Sequence, residues 1–99
     1  MFEAAADLEA EFAELERKLS DPAVHADPVA SRKIGRRYAE LTPIIKNLAA
    51  YRQLSADLAA STELADEDEA FAAEAEELSA QLVDVEGRLT RLLAPRDPN

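Results

Sequence analysis

The sequence predicts an all-α protein, an antiparallel three-helix bundle with coiled-coil-like packing. Ala, Leu and Glu, all strong helix formers, dominate the 99 residues, and only two Gly are present. The five Pro lie where helix ends or joints are expected. Apolar residues recur in alternating steps of three and four, which places them on one stripe of a helix. Because such a stripe cannot stay exposed to water, each helix needs partner helices.

The first predicted helix covers about residues 2–20. Its stripe follows the heptad spacing and consists of Ala5, Leu8, Phe12, Leu15 and Leu19. Asp21 is expected to cap a short turn, because Pro22 at the next position needs no N–H partner. His25 lies in this connection, where we expect a solvated or capping side chain rather than a metal or catalytic site.

The middle helix is predicted near residues 28–62, and Asp27-Pro28 repeats the signal of a cap followed by proline. Thr42-Pro43 interrupts its pattern. Proline removes one backbone hydrogen bond and clashes with the preceding turn, so the helix is expected to be kinked or broken there. Thr42 is the expected cap if the helix starts again after this point.

The last helix is predicted near residues 68–94. It carries the longest stripe, three heptads formed by Phe71, Ala75, Leu78, Leu82, Val85, Leu89 and Leu92. Asp68 can cap its start and Pro95 ends it. Residues 63–69 hold five acids and are expected to form a solvated turn. We expect one helical domain over residues 1–99, a fragment of a longer protein, with a linker beginning in residues 95–99.

The predicted core combines the stripes of all three helices. Its members are Leu8, Phe12, Leu15, Ile34, Tyr38, Leu41, Ile45, Leu48, Leu78, Leu82, Val85 and Leu89.

The net charge of −10 is unevenly distributed along the chain. Residues 1–27 hold eight acids and two bases, and residues 57–99 hold twelve acids and three bases. Residues 28–56 hold six bases and one acid. Four of these bases form what we call the basic cluster: Arg32, Lys33, Arg36 and Arg37. It has two interpretations, a solvated face that pairs with acids such as Glu11, Glu14, Asp66 or Glu67, or a contact for RNA.

The residue types required for catalysis do not occur in recognisable patterns. The sequence has no Gly-rich phosphate loop, no nucleophile with a matching base, no metal-ligand set and no Cys. We therefore expect no catalytic residue, cofactor, metal or small-molecule ligand. No apolar run is long enough to span a membrane, and the first residues do not resemble a signal peptide.

Three stretches carry a resemblance to a known family. They are residues 19–27, 37–44 and 92–99, which read LSDPAVHAD, RYAELTPI and LLAPRDPN. With them the whole chain resembles, in register, the N-terminal domain of the bacterial class I release factors that read UAA and UAG. The chain departs from that pattern at Glu69 and Ala94. The paralogous factors that read UAA and UGA are less similar, since they tend to carry a Trp that this chain lacks.

The resemblance implies a docking domain in a cytoplasmic translation factor. The family's catalytic Gly-Gly-Gln loop and codon-reading tripeptide are not in these residues. The implied partners are the ribosome, at the stalk base and GTPase-associated centre of the large subunit, and the recycling release-factor GTPase. A free-standing coiled-coil adaptor and a tRNA-contacting arm of a synthetase are the alternatives; the acidic last helix disfavours the second of these.

Overall fold

The computed structural model describes residues 4–95, and these residues form four helices. α1 spans Ala5–Leu19, α2 is a single turn at Pro22–His25, α3 spans Pro28–Leu64 and α4 spans Ala70–Leu93. The described residues contain no strand. The predicted all-α class is therefore confirmed. The bounds of the three long helices agree with the prediction to within two residues wherever they fall inside the described range; residues 2 and 3, placed in the first helix, lie outside it.

The chain divides into two compact units within α3. Unit 1 runs up to Lys46 and contains α1, α2 and the first half of α3. Unit 2 begins at Asn47 and contains the second half of α3 and α4. In unit 1, Glu11 of α1 contacts Arg37 of α3. In unit 2, a short connection joins the second half of α3 to α4, as in a helical hairpin. The single-domain boundary and the linker at residues 95–99 remain predictions, and residues 96–99 lie outside the described range.

Aspartate side chains accept hydrogen bonds from backbone amides at the start of three helices, as the sequence predicts. Asp21 Oδ1 accepts a hydrogen bond from the Ala23 N–H at 2.9 Å. Asp27 Oδ1 accepts from the N–H groups of Val29 and Ala30, at 3.1 and 3.2 Å. Asp68 Oδ1 accepts from the Ala70 N–H at 3.0 Å. Each contact supplies a partner for an amide that the first helical turn leaves without one.

Pro43 does not break the middle helix. α3 continues from Pro28 to Leu64 with Pro43 in its interior. Of the two outcomes left open at Thr42-Pro43, a kink or a break, the break is therefore wrong, and Thr42 caps no second helix. The Thr42 hydroxyl instead donates to the Tyr38 carbonyl oxygen, 2.7 Å away and one turn back. Proline offers no N–H to the Ala39 carbonyl, but both Ala39 and Pro43 are exposed, so water can solvate that oxygen.

The predicted core residues all face inward to some degree. Five of them are buried: Leu15, Leu41, Leu48, Val85 and Leu89. The other seven, Leu82 among them, are half-buried and none is exposed. Leu92, the last member of the α4 stripe, is 39% exposed, because it is the next-to-last residue of α4. The predicted residues therefore form the core, but few of them are fully buried, as expected for helices that pack in pairs.

The burial of Leu89 predicts a large effect of truncation. Leu89 is fully buried in unit 2, so Leu89→Ala removes its apolar contacts and leaves a cavity, at a cost of about 2–5 kcal/mol. Val83 on the same helix is 63% exposed, so Val83→Ala is the matched control and should change stability by only about 0.5 kcal/mol. Urea unfolding followed by circular dichroism measures both. If the two variants lost the same free energy of unfolding, the packing of Leu89 described above would be contradicted.

Candidate partner-binding surface

The basic cluster occupies the second and third turns of α3. Asp27 and Pro28 fix where the helix begins, and this sets which way each later side chain points. Positions four apart lie in the same row along a helix. We call Arg32 and Arg36 the outer row, and Lys33 and Arg37 the inner row. This separation by row decides what each cation can contact.

Arg37 is held by acids of the same unit. Its Nε donates to Glu11 Oε2 at 2.6 Å and its Nη2 donates to Glu11 Oε1 at 2.9 Å, which is a two-pronged contact between α3 and α1. Its Nη1 also donates to Glu40 Oε2 at 3.2 Å. Such forked pairs fix geometry better than single ion pairs do. For Arg37 the structure thus shows the pairing with Glu11 that one interpretation of the cluster predicted.

The contact changes the proton affinity of both partners. The hydrogen bond that Arg37 donates is the main cause that lowers the pKa of Glu11 below its ordinary value; burial opposes it, and the charge of Arg37 adds to the lowering. The hydrogen bonds that Arg37 donates to Glu11 raise the pKa of Arg37, so the guanidinium stays charged. Glu14, another acid proposed to pair with the cluster, instead accepts a hydrogen bond from Arg17 on its own helix.

The other three cations of the cluster are exposed. Arg32 Nε donates to the Pro28 carbonyl oxygen at 3.3 Å, a contact one turn back on the same helix. Within residues 4–95 neither Lys33 nor Arg36 has an acid within 4.0 Å. Three positive charges are therefore available to a partner, while Arg37 serves mainly to join the two helices.

A groove lies beside the inner row, between α1 and the first half of α3. It has a volume of about 350 Å³. Its lining is Leu15, Lys18, Ala30, Lys33, Ile34 and Arg37. Arg32 and Arg36 of the outer row do not line it. The order of these residues along α1 and α3, together with the Glu11–Arg37 contact, shows that the two helices are antiparallel.

Sequence reasoning missed two features of this surface. Nothing in the sequence pattern singled out Lys18, yet it lines the groove with Lys33. Phe12 and Tyr38 were both assigned to the core, but nothing indicated that their rings stack, with centroids 4.6 Å apart and planes 17° apart. An antiparallel register that places Glu11 opposite Arg37 would have revealed both, since it also brings Phe12 to Tyr38 and Lys18 to the start of α3.

The remaining candidate residues have local structural roles. His25 Nε2 donates to the Leu19 carbonyl oxygen at 2.5 Å, which caps the end of α1 as the sequence suggested. In the described part of the chain, no group of three or more acids or histidines is arranged to hold a metal ion. No helix among residues 4–95 combines the length and apolar character needed to cross a bilayer.

Comparison with known proteins places the chain in a family. Residues 8–99 match the model of the PCRF domain. The chain therefore belongs to the PCRF domain family, and it resembles the N-terminal part of translation release factors.

Its curated relatives carry the name peptide chain release factor 1. The proteins of Acidothermus cellulolyticus and Renibacterium salmoninarum are each 52% identical over the whole chain, and that of Mycolicibacterium vanbaalenii is 49% identical over 91% of it. The chain spans about a quarter of the length of these relatives. The similarity to the N-terminal domain of release factor 1, expected from the sequence, is confirmed. No solved structure matches the chain.

The Glu11–Arg37 contact makes stability depend on pH. Because the pKa of Glu11 is lower in the folded state, its contribution is present above the unfolded value near 4.5 and is lost as pH falls through the folded value. The two side chains are 39% and 42% exposed, so screening limits the coupling to about 0.5–1 kcal/mol. A double-mutant cycle with Glu11→Gln and Arg37→Gln, measured by urea unfolding at neutral pH and below pH 4, tests this. A coupling that is equal at both pH values would contradict it.

Proposed function

We propose that the chain is the ribosome-docking domain of a release factor that directs termination at UAA and UAG. The observation that carries the proposal is the family match over residues 8–99, together with relatives about 50% identical over the full chain. The reaction itself is assigned to residues beyond these 99. Gly35 and Gly87 are the only glycines and are far apart, so the chain has no Gly-Gly-Gln.

The proposed partners follow from the same family membership. They are the ribosome, at the stalk base and GTPase-associated centre of the large subunit, and the recycling release-factor GTPase. A factor with these partners works in the cytoplasm. Paired helices suit docking, because their exposed faces are rigid and carry charges at fixed spacing. The outer faces of α3 and α4 supply such surfaces without needing a catalytic pocket.

The basic cluster is the proposed contact with ribosomal RNA. A chain with a net charge of −10 repels RNA as a whole, so any contact must come from a local positive patch. Arg32, Lys33 and Arg36 are exposed and together supply three charges. Arg37 supports this patch by tying α3 to α1 rather than by contacting phosphate, since Glu11 and Glu40 already occupy its donors.

A chimera tests the docking role. The chain replaces the matching quarter of the Acidothermus cellulolyticus factor, which is 52% identical to it. We expect the chimera to release peptide at UAA and UAG but not at UGA, and the isolated 99 residues to release none. A relative lacking this quarter altogether is the control, and we expect it to bind ribosomes less tightly. Release by the isolated chain, or full activity of the shortened factor, would refute the proposal.

The RNA contact is tested in the same chimera by salt dependence. Arg32→Gln, Lys33→Gln and Arg36→Gln together remove three exposed charges, so ribosome affinity should fall and its dependence on salt should flatten by about 2–3 in log–log slope. The matched control replaces Lys46, Arg88 and Arg91 by Gln, three exposed cations elsewhere. Affinity and slope equal to those of the control variant would show that the cluster makes no specific contact.

A further inference from the structure

We propose that the groove between α1 and the first half of α3 binds an acidic amphipathic helix of a protein partner, through an aliphatic side chain flanked by carboxylates. The site goes beyond the ribosomal RNA contact proposed above, which uses the exposed cations of the cluster and needs no groove. It uses the inner side of α3 and one face of α1. Lys33 is the only cation that the two contacts share.

The floor and rim of the groove differ in chemistry. We call the buried Leu15 and the half-buried Ala30 and Ile34 the aliphatic floor. We call the exposed Lys18 of α1 and Lys33 of α3 the rim; the half-buried Arg37 also lines the groove. The volume of 350 Å³ is at the low end of the range of about 300–1,000 Å³ typical of ligand pockets. It therefore accommodates one or two side chains, with the rest of a partner lying outside.

The charges at the rim determine which charge the partner must carry. Lys18 and Lys33 are exposed, and within residues 4–95 no acid lies within ion-pair distance of either ammonium group. Arg37 adds no free charge, because Glu11 and Glu40 accept its hydrogen bonds. The charge of Lys18 also acts on Glu14, one turn back on α1, but among the described residues neither lysine forms an ion pair. Two positive side chains thus flank the apolar floor. Carboxylates one turn apart on a partner helix present the complementary spacing.

The floor favours a protein partner over RNA. Proteins that bind unpaired bases stack them on exposed aromatic rings or guanidinium planes. The groove lining contains no aromatic residue, and the nearby rings of Phe12 and Tyr38 are half-buried and stacked on each other. The guanidinium of Arg37 is held by two carboxylates. An aliphatic floor instead matches the side chains that anchor an amphipathic helix in a groove.

An exposed valine lies on α3 next in sequence to a residue of the groove floor. Val29 lies one turn before Lys33 in the same row of α3 and is 68% exposed. A helix whose anchor occupies the floor can place a second apolar residue, one or two turns along, against Val29. The arrangement of apolar floor, flanking lysines and exposed valine therefore follows the repeat of a helix, which needs anchors at successive turns.

The binding experiment uses the 99-residue chain and a synthetic helical peptide. The peptide carries Leu at successive turns of one face, with Glu one turn apart on both sides of it. Titration into the isotope-labelled chain, followed by amide NMR shifts, should move signals of Leu15, Lys18, Ala30, Lys33 and Ile34. A peptide with Gln in place of Glu, and one with Ser in place of Leu, should each bind more weakly. An RNA hairpin is titrated in parallel.

Two variants with a matched control locate the site. Lys18→Gln with Lys33→Gln should weaken peptide binding about fivefold to tenfold, whereas Arg32→Gln with Arg36→Gln removes the same charge from the outer row and should change it less than about twofold. Ala30→Glu places a longer, negative side chain in the floor and should weaken binding more. Ala30 lies in the first turn of α3, where a glutamate favours the helix, so this variant should remain folded.

Each outcome bears on the proposal. Selective loss in the inner-row and Ala30 variants supports it. Equal loss of peptide affinity in the outer-row control would show nonspecific attraction and overturn the proposal. Tighter binding of the RNA hairpin, detected at the groove amides, would assign the site to RNA and also overturn it. Peptide binding that shifts no groove amide signal, or no binding at millimolar peptide, would overturn it as well. Ribosome affinity of the chimera is measured separately, so failure here leaves the docking role intact.

Discussion

The structure depends on the burial of apolar side chains of α3. A helix of 37 residues cannot leave all of them in water, and each half of α3 belongs to a different compact unit, with α1 in unit 1 and with α4 in unit 2. The fully buried side chains are few, with Leu41 at 1% and Leu89 at 0% exposure among them. Stability therefore rests on a small number of leucines and valines, and the remaining helix faces are free to carry charge.

The small size of the core explains where ion pairs between helices can form. A wide core would bury the helix flanks, but here the flanks remain half-exposed and accommodate polar contacts between helices. Arg37 and Glu11 lie at such a position, beside the stacked rings of Phe12 and Tyr38. The forked contact adds little free energy at this exposure, but its fixed geometry sets the register of α1 on α3. The same register places Lys18 across the groove from Lys33.

Much of this fold is readable from the sequence because the relevant forces are local. Asp21, Asp27 and Asp68 cap helical segments as predicted, since a short polar side chain before a helix has few other uses. The heptad spacing identified the core, because helical period alone decides which residues share a stripe. The resemblance of residues 19–27, 37–44 and 92–99 supplied the family, which physical pattern alone does not reveal.

The features that sequence reasoning missed depend on contacts between helices. Thr42 was the expected cap only if the helix started again, but α3 is continuous and the Thr42 hydroxyl donates to the Tyr38 carbonyl oxygen instead. Ser61 is buried at a position where the apolar pattern fades. The four cations of the basic cluster look equivalent in sequence, and only the position of Glu11 on another helix makes Arg37 different.

Because Arg37 differs from the other three cations of the basic cluster, one short segment of α3 can contact two partners. Residues four apart lie in the same row, and the outer row of Arg32 and Arg36 does not line the groove that the inner row lines. A phosphate contact needs only exposed positive charge, which the outer row supplies without apolar surface. A helix-binding groove needs an apolar floor and a fixed register, which the inner row gains from α1 through Arg37 and Glu11. Because the two requirements fall on different rows, the two contacts compete only for Lys33.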